Sequence, residues 1–480
     1  MSTIIDDETL KNKCQIFTPD EIVNIMINEA GYKKNLYEAY ILENSCGNGQ
    51  ILTVIVEQYI KDAINNNIDI SAIKDGLETH IYAYELDAVH INDCVRRLNE
   101  ITDKYNISRV NWNIKKEDFL RADINIKFNY IIGNPPYISL PDVPLSERKF
   151  IKSKFTTCQK GKFDYCYAFI EKSYNLLAPN GKLVYIVPNN IFKKEFAGEL
   201  RKLILVDLIK IIDFPTSTVF PNKLISPAII NVTKGSNRKA LKYFNKDIKQ
   251  SKIKKITKST LGEKWIFSES DNSETKKQIK DHYNVSSSIA TLCNSVFVLK
   301  GGIIQGDFYL VDNHRIEISI LKKATSPRCK KYGINDEYII FPYQKNDEGI
   351  FVAFNEDEMN ANFPCAMQYL ASKRVKLEAR KSDKNAQWYE YGRSQAIQHT
   401  NKNMILISSV ISECTQAYMV NEEIPYSGLY IIPTDNEHTL EALLPILNSQ
   451  EFKDYISGIG VCVNGTSKRI SSKDIENYSY

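Results

Sequence analysis

The sequence predicts a doubly wound α/β domain of the Rossmann-like type, followed by a mixed α+β domain. Three observations support this. Strand-like apolar runs alternate with helix-like stretches through the first half of the chain; glycine turns or acidic residues follow the ends of those strands; and the texture changes abruptly near residue 240. A chain of 480 residues is too long for one ordinary core, so at least two domains are expected.

Taken in order, YILEN (40–44), HIYAYEL (80–86), YIIGN (130–134), KLVYIVP (182–188) and LIKIIDF (208–214) read as buried strands of a parallel sheet. Helix-like stretches lie between them: GQILTVIVEQYIKDAI, AVHINDCVRRLNEI and YAFIEKSYNLLA, the last stopping at Pro179-Asn180-Gly181. SPAIINVTKG and ALKYFN suggest a final pair of strands. The alternation then fades, which places a boundary near 235–245 and gives domains at 1–240 and 241–480. In the second half, polar and basic segments separate short strand candidates (SVFVLKGGIIQG, EYIIFPY, MILISSVIS, GLYIIP). One amphipathic helix is expected at TLEALLPILNSQEFKDYISG.

Composition narrows the function classes. With 43% hydrophobic and 25% charged residues the chain is of the globular kind. No apolar run reaches the ~18 residues of a membrane span, and MSTIIDDETLKNK lacks the basic and apolar regions of a signal peptide. A cytoplasmic protein without membrane association is therefore expected. The ten cysteines form no CxxC pair and the six histidines no HExxH or HxH, so reduced thiols and no metal site are expected. The net charge of +4 is uneven. Residues 236–300 hold 14 Lys and Arg against 6 Asp and Glu, a local excess of +8 suited either to phosphates or to a solvated linker.

The chemistry starts at YILENSCGNGQ, where a strand ends in Glu43 and Ser45, Gly47 and Gly49 form a turn into a helix. Small residues there let the backbone approach a ligand at the carboxyl end of the sheet. The next strand ends at Glu85, placed to accept hydrogen bonds from ribose hydroxyls. Its spacing from the turn exceeds the usual ~20 residues and implies an insertion around 61–79. Asp118-Phe119 offers a carboxylate for an adenine amino group and an aromatic edge beside the ring. Each acid alone is as readily an N-cap or a surface charge, but three in succession after three strands favour a nucleotide site. After the strand NYIIG comes Asn134-Pro135-Pro136-Tyr137. The two prolines remove backbone donors and leave carbonyls beside the Asn134 amide. Such acceptors hold the hydrogens of an exocyclic amine while its nitrogen pyramidalises to attack an electrophile.

At these residues the chain resembles the N6-adenine DNA methyltransferases of bacterial restriction–modification systems, in the gamma arrangement of motifs. The resemblance covers essentially the whole chain. Phe17-Thr18-Pro19 is similar to the N-terminal motif that holds the methionine part of S-adenosyl-L-methionine. Glu43 through Gly49 resembles the cofactor loop, with Ser45 where many members have glycine. Glu85 matches the ribose-binding acid, Asp118-Phe119 the adenine-binding pair, and Asn134 to Tyr137 the catalytic NPPY. FDYCYAFIEKSYNLLAPNGKLVYIVPNN matches the next two motifs, with Asp164 and Tyr165 near the target pocket. Val219-Phe220-Pro221 resembles the segment whose aromatic ring faces the NPPY tyrosine across a flipped base. The resemblance implies a site-specific enzyme acting on double-stranded DNA as a monomer in a bacterial cytoplasm, without a metal and with a separate cognate endonuclease as a candidate partner.

The second half would then be a target-recognition domain. Arg374, Lys376, Arg380 and Lys381 precede Trp388-Tyr389 and Tyr391-Gly392-Arg393, a basic and aromatic set suited to phosphate contact and base reading. Gly465 through Arg469, which includes Lys468, resembles that domain's last loop and strand. Three alternatives stay open: a different planar-nitrogen acceptor in protein, RNA or cytosine; a fused nuclease; and a DNA-binding subunit without turnover.

Overall fold

In the computed structural model, residues 17–215, 219–220, 226–246, 252–267, 277–400, 402–412, 415–464 and 467–480 are described. They fall into two units dividing at Ser268. Pro221, Gly465 and Thr466 lie outside the described residues.

Side chains alternate across a strand, and in the first unit adjacent residues of the central strands feed two separate cores. Ile41, Ile132, Val184, Ile186 and Ile229 pack with Met26, Ile55, Leu77 and Leu98 of four helices: α1 (Asp20–Ala30), α2 (Gln50–Asn65), α3 (Ile70–His80) and α4 (Ala88–Asp103). Their neighbours Leu42, Ile131, Leu183, Tyr185 and Ile230 pack with Ile151, Phe169 and Ile204 of α5 (Leu145–Lys154), α6 (Cys166–Leu176) and α7 (Gly198–Leu205). The central strands are thus buried on both faces, which explains why they read as continuous apolar runs.

The strands are β1 (Ile41–Glu43), β2 (Ile81–Glu85), β3 (Asn113–Lys116), β4 (Phe128–Gly133), β5 (Leu177–Pro188), β6 (Leu208–Asp213), β7 (Pro227–Thr233), β8 (Ala240–Asn245) and β9 (Lys254–Thr257). Their order is β3-β2-β1-β4-β5-β7-β6-β8-β9. From β3 to β5 all pairings are parallel, whereas β7 lies antiparallel between β5 and β6. The sheet is thus mixed, consistent with a Rossmann-like methyltransferase core, although the five strands read from sequence run in one direction. The unusual spacing after the glycine turn is occupied by the end of α2 and the whole of α3. Helix α6 stops at Leu176 rather than at Pro179, because Leu177 already pairs with Phe128. Strands β8 and β9 extend the sheet beyond residue 240, where the texture of the sequence changes.

In the second unit, Tyr283–Ser287, Leu429–Pro433, Met404–Ile407 and Ala417–Val420 form a four-stranded antiparallel sheet in that order. Leu443, Leu447, Phe452 and Ile456 cover one core against it. The single helix expected over 439–458 is two helices, Leu440–Asn448 and Gln450–Ile459. Ser449 between them is extended and accepts from Phe452 N–H, an N-cap that restarts the helix. A second core gathers Phe297, Ile339, Met367, Leu370 and Tyr391. Among the described residues no helix is long and apolar enough to cross a membrane.

Candidate active site

The carboxyl ends of β1, β2 and β4 surround a cavity of about 210 Å³ within the first unit. The turn after β1 is shaped by two glycines in the left-handed region, Gly47 (φ 51°) and Gly49 (φ 82°). At Gly49 a Cβ would stand 2.6 Å from Cys94 Sγ of α4, so both conformation and space require glycine. Cys46 N–H bonds to Tyr84 O of β2 (3.1 Å), and Gly47 N–H donates to Glu85 Oε2 (2.9 Å). Glu85 Oε1 accepts from Leu86 N–H (2.8 Å) and Asp87 N–H (3.0 Å). One carboxylate thus ties the two strand-end loops together and still faces the cavity.

Beyond β3, Asp118 Oδ1 accepts from Leu120 N–H (2.9 Å), and Oδ2 pairs with Arg121 Nε (3.2 Å). Burial lifts the Asp118 carboxyl above its ordinary range. Arg121 also reaches Glu147 Oε2 (2.5 Å), and its guanidinium lies 3.8 Å over the Phe150 ring. Glu147 is 4% exposed and lines the cavity, and its Oε1 has no hydrogen-bond partner among the described residues. Burial raises the Glu147 carboxyl as well. An unpaired buried carboxylate oxygen is costly, which marks this wall as built for a donor.

The structure brings Phe17, Ser45, Gly47, Glu85, Asp118, Phe119 and Pro136 to the cavity wall. Phe17 packs edge-on against His90 with centroids 5.9 Å apart. Glu43, Thr18, Pro19 and Gly49 stand behind the wall. Glu43 is buried beneath the turn, and desolvation holds its carboxyl well above the usual range. Pro19 caps α1. Thr18 accepts from Asn134 Nδ2 (3.2 Å), while Ser45 Oγ donates to Asn134 O (2.9 Å). The NPPY segment is therefore held from both the N-terminal motif and the glycine turn.

Tyr137 donates to Ile186 O (2.8 Å) and meets Phe220 edge-on, with centroids 6.2 Å apart and planes at 66°. Phe220 is 1% exposed. Pro135 is buried behind the motif. Tyr165 lines the cavity, whereas Asp164 is buried and pairs with Lys194 at 3.6 Å. Sequence reasoning missed the wall from Ile138 to Glu147. Glu147 sits in the first turn of a helix after Pro144, where an acid ordinarily faces solvent, so no spacing marks it.

In the second unit the candidate DNA contacts divide. Tyr389 is a correction: it is 2% exposed, packs in the core and donates to Phe354 O (3.1 Å), so it presents no face to a ligand. Arg380 donates to the carbonyls of Thr291, Leu377, Trp388 and Glu390 at 2.6–3.0 Å, and folds the WYEYGR segment around itself. Trp388 is half-buried beneath Arg374, which also pairs with Glu378. Arg393 pairs with Asp383 (2.5 Å), Lys376 with Ser295 Oγ (3.0 Å), and Lys468 with Ser457 O (2.7 Å). Arg469 is exposed on the strand Ser467–Arg469.

Fold and cavity define an α/β protein with a cavity at the carboxyl ends of its parallel strands. Comparison with known proteins narrows this class. A family model described as Eco57I restriction-modification methylase matches residues 31–220. The chain is 26% identical over 345 residues to the type II restriction enzyme and methyltransferase RM.Eco57I of Escherichia coli, covering 62% of this chain and 34% of that protein. It is 22% identical over 506 residues to the type II methyltransferase M.XhoI of Xanthomonas vasicola, covering 95% and 89%. Among solved structures it shares the fold of the type IIL restriction-modification enzyme MmeI in complex with DNA, at TM-score 0.61 and 12% identity, over 95% of this chain and 65% of that one. The chain is thus similar in sequence to type II restriction–modification methyltransferases, and it spans about a third of the length of RM.Eco57I.

Proposed function

We propose that this chain is an S-adenosylmethionine-dependent DNA methyltransferase that modifies N6 of an adenine flipped out of the duplex. One observation carries the reading. The cavity that collects the glycine turn, Glu85 and Asp118-Phe119 extends to Pro136 of the NPPY motif, so a nucleotide site and an amine-activating site share one wall.

The residues present fit the cofactor. Glu85 offers acceptors at a strand end, where ribose hydroxyls bind, and Asp118 and the unpartnered Glu147 Oε1 suit the two hydrogens of an adenine amino group. When bound, S-adenosylmethionine supplies an electrophilic methyl group. Asn134 Nδ2 is committed to Thr18, which turns the amide so that Oδ1 is its acceptor on the other side. That oxygen and the Pro135 carbonyl accept the N6 hydrogens and draw the nitrogen lone pair out of conjugation, a preorganised electrostatic stabilisation. Tyr137 and Phe220 stack on the base from opposite faces. Holding a base between parallel rings needs roughly 7 Å, two carbon–carbon spacings of ~3.5 Å, so the present edge-on contact opens when the base enters.

In this reading residues 1–240 are the catalytic domain and residues 241–480 the target-recognition domain, whose basic excess lies mostly in 241–264, where β8 and β9 extend the first unit's sheet, and a separate endonuclease is the candidate partner. The test is transfer of labelled methyl to adenine-containing duplex DNA, with nucleoside analysis and modification-sensitive sequencing. N6-methyladenine at one recurring sequence is the expected result. Label on cytosine, RNA or protein sinks the substrate assignment.

A further inference from the structure

The second unit carries a cluster of ligating side chains that neither the cavity nor the DNA-contact residues use. His282 immediately precedes the strand Tyr283–Ser287, and Asp435 comes two residues after Leu429–Pro433. These strands pair with Tyr283 opposite Pro433, so His282 continues the ladder opposite Thr434. Thr434 fixes that register, donating to His282 O from both its N–H (3.0 Å) and its Oγ1 (2.9 Å). Asp435 Oδ1 then accepts from Glu437 N–H and His438 N–H, each at 2.9 Å, folding a turn that carries His438 back over His282.

The two imidazoles are stacked, with centroids 3.7 Å apart and planes at 14°. Both Asp435 oxygens lie against His438 Nδ1, at 2.8 and 3.0 Å. Tyr283 supports the pair edge-on at 6.1 Å from His438. One ligand atom from each of the three residues lies within 4.8 Å of the others. The sequence hides this set, because His282 is far from the other two in the chain and only the strand register brings them together.

We propose that His282, Asp435 and His438 bind a divalent transition-metal ion of the zinc class. Imidazole nitrogens and a carboxylate oxygen match that ion's preferences. At zinc–ligand distances of ~2.0–2.2 Å, tetrahedral ligands stand ~3.4 Å apart. The three side chains reach that spacing by rotating about their own torsions, since their backbones are already fixed. Asp435 exchanges its hydrogen bond to His438 for the metal, and a fourth position remains for water. The ion clips the start of the sheet's outer strand to the turn before the helix Leu440–Asn448.

The chelator-treated full-length chain is titrated with Zn²⁺ by calorimetry and with Co²⁺ by visible absorption, with and without His282→Ala, His438→Ala and Asp435→Asn. One ion per chain is expected, with a four-coordinate Co²⁺ spectrum free of thiolate charge transfer and a Tm raised by Zn²⁺. Each substitution weakens uptake roughly tenfold or more. His438→Gln stands in where an alanine variant loses its native circular dichroism. Absence of saturable uptake, thiolate bands, or uptake unchanged by the histidine substitutions overturns the site.

Discussion

Glu85 and Arg380 each gather several backbone hydrogen bonds, yet they end in opposite situations. Glu85 accepts from Gly47, Leu86 and Asp87 and still looks into a cavity. Arg380 donates to four carbonyls of its own neighbourhood, and burial pulls its guanidinium below the usual range. The difference follows from where the chain puts them. A residue just past a parallel strand is delivered to the sheet's carboxyl edge by the fold itself, so its type and position together speak of function. A basic residue among aromatics in an irregular segment has no such address, and it is as readily spent holding that segment together.

The largest test of this contrast is Asn134→Ala. It removes the amide oxygen and the Thr18 contact while leaving the cavity wall intact, so methyl transfer falls by ~10²–10³-fold or more. Binding of S-adenosylhomocysteine by calorimetry stays within about twofold. Turnover near the wild-type rate would break the assignment. Next comes Arg380→Ala, which strips donors from four partly buried carbonyls and costs about 3 kcal/mol in urea unfolding of the second unit. Arg374→Ala, whose exposed partner is Glu378, costs under ~0.5 kcal/mol. Equal effects from the two would erase the distinction between a structural and a surface arginine.

These outcomes bear on how much was legible beforehand. The five strands, the glycine turn and the NPPY segment were readable because alternation, small residues and prolines each have a local physical cause. β3, with its sequence NIKK, was not, because an edge strand with half-buried and exposed positions carries no apolar run. The break at Ser449 was hidden inside an unbroken helical period, visible only as a capping residue before Gln450-Glu451. At the site, Glu85 ends one strand and Asp118 follows another, but Glu147 arrives from the first turn of a helix and depends on tertiary packing. Tyr389 failed in the other direction, since an aromatic beside basic residues is as good a core residue as a recognition residue.

Glu147 sharpens the comparison on the cavity side. If its free oxygen receives the adenine amino group, the wild type prefers S-adenosylhomocysteine over S-inosylhomocysteine, which lacks that donor. Glu147→Leu then narrows the preference roughly tenfold, the worth of one hydrogen bond to a charged acceptor, and Glu147→Gln restores much of it. Burial raises both Asp118 and Glu147, so the preference fades as pH falls, beginning above the range of an ordinary carboxylate. A loss of both ligands to the same degree in Glu147→Leu would reduce the residue to a brace for Arg121.

The smallest effect is expected at Arg469, which differs from Arg380, Arg393 and Lys468 in being exposed on a short strand. If the second unit contacts DNA as proposed, a guanidinium in that setting neutralises one phosphate and reads no base. Arg469→Ala should weaken duplex binding a few-fold, equally on all sequences, and lower the slope of log affinity against log salt by about one. Unfolding stability should not change. A sequence-dependent loss would instead make Arg469 a base reader. No loss at all would remove the last strand from the proposed DNA contact and turn the search toward basic residues that no motif distinguishes.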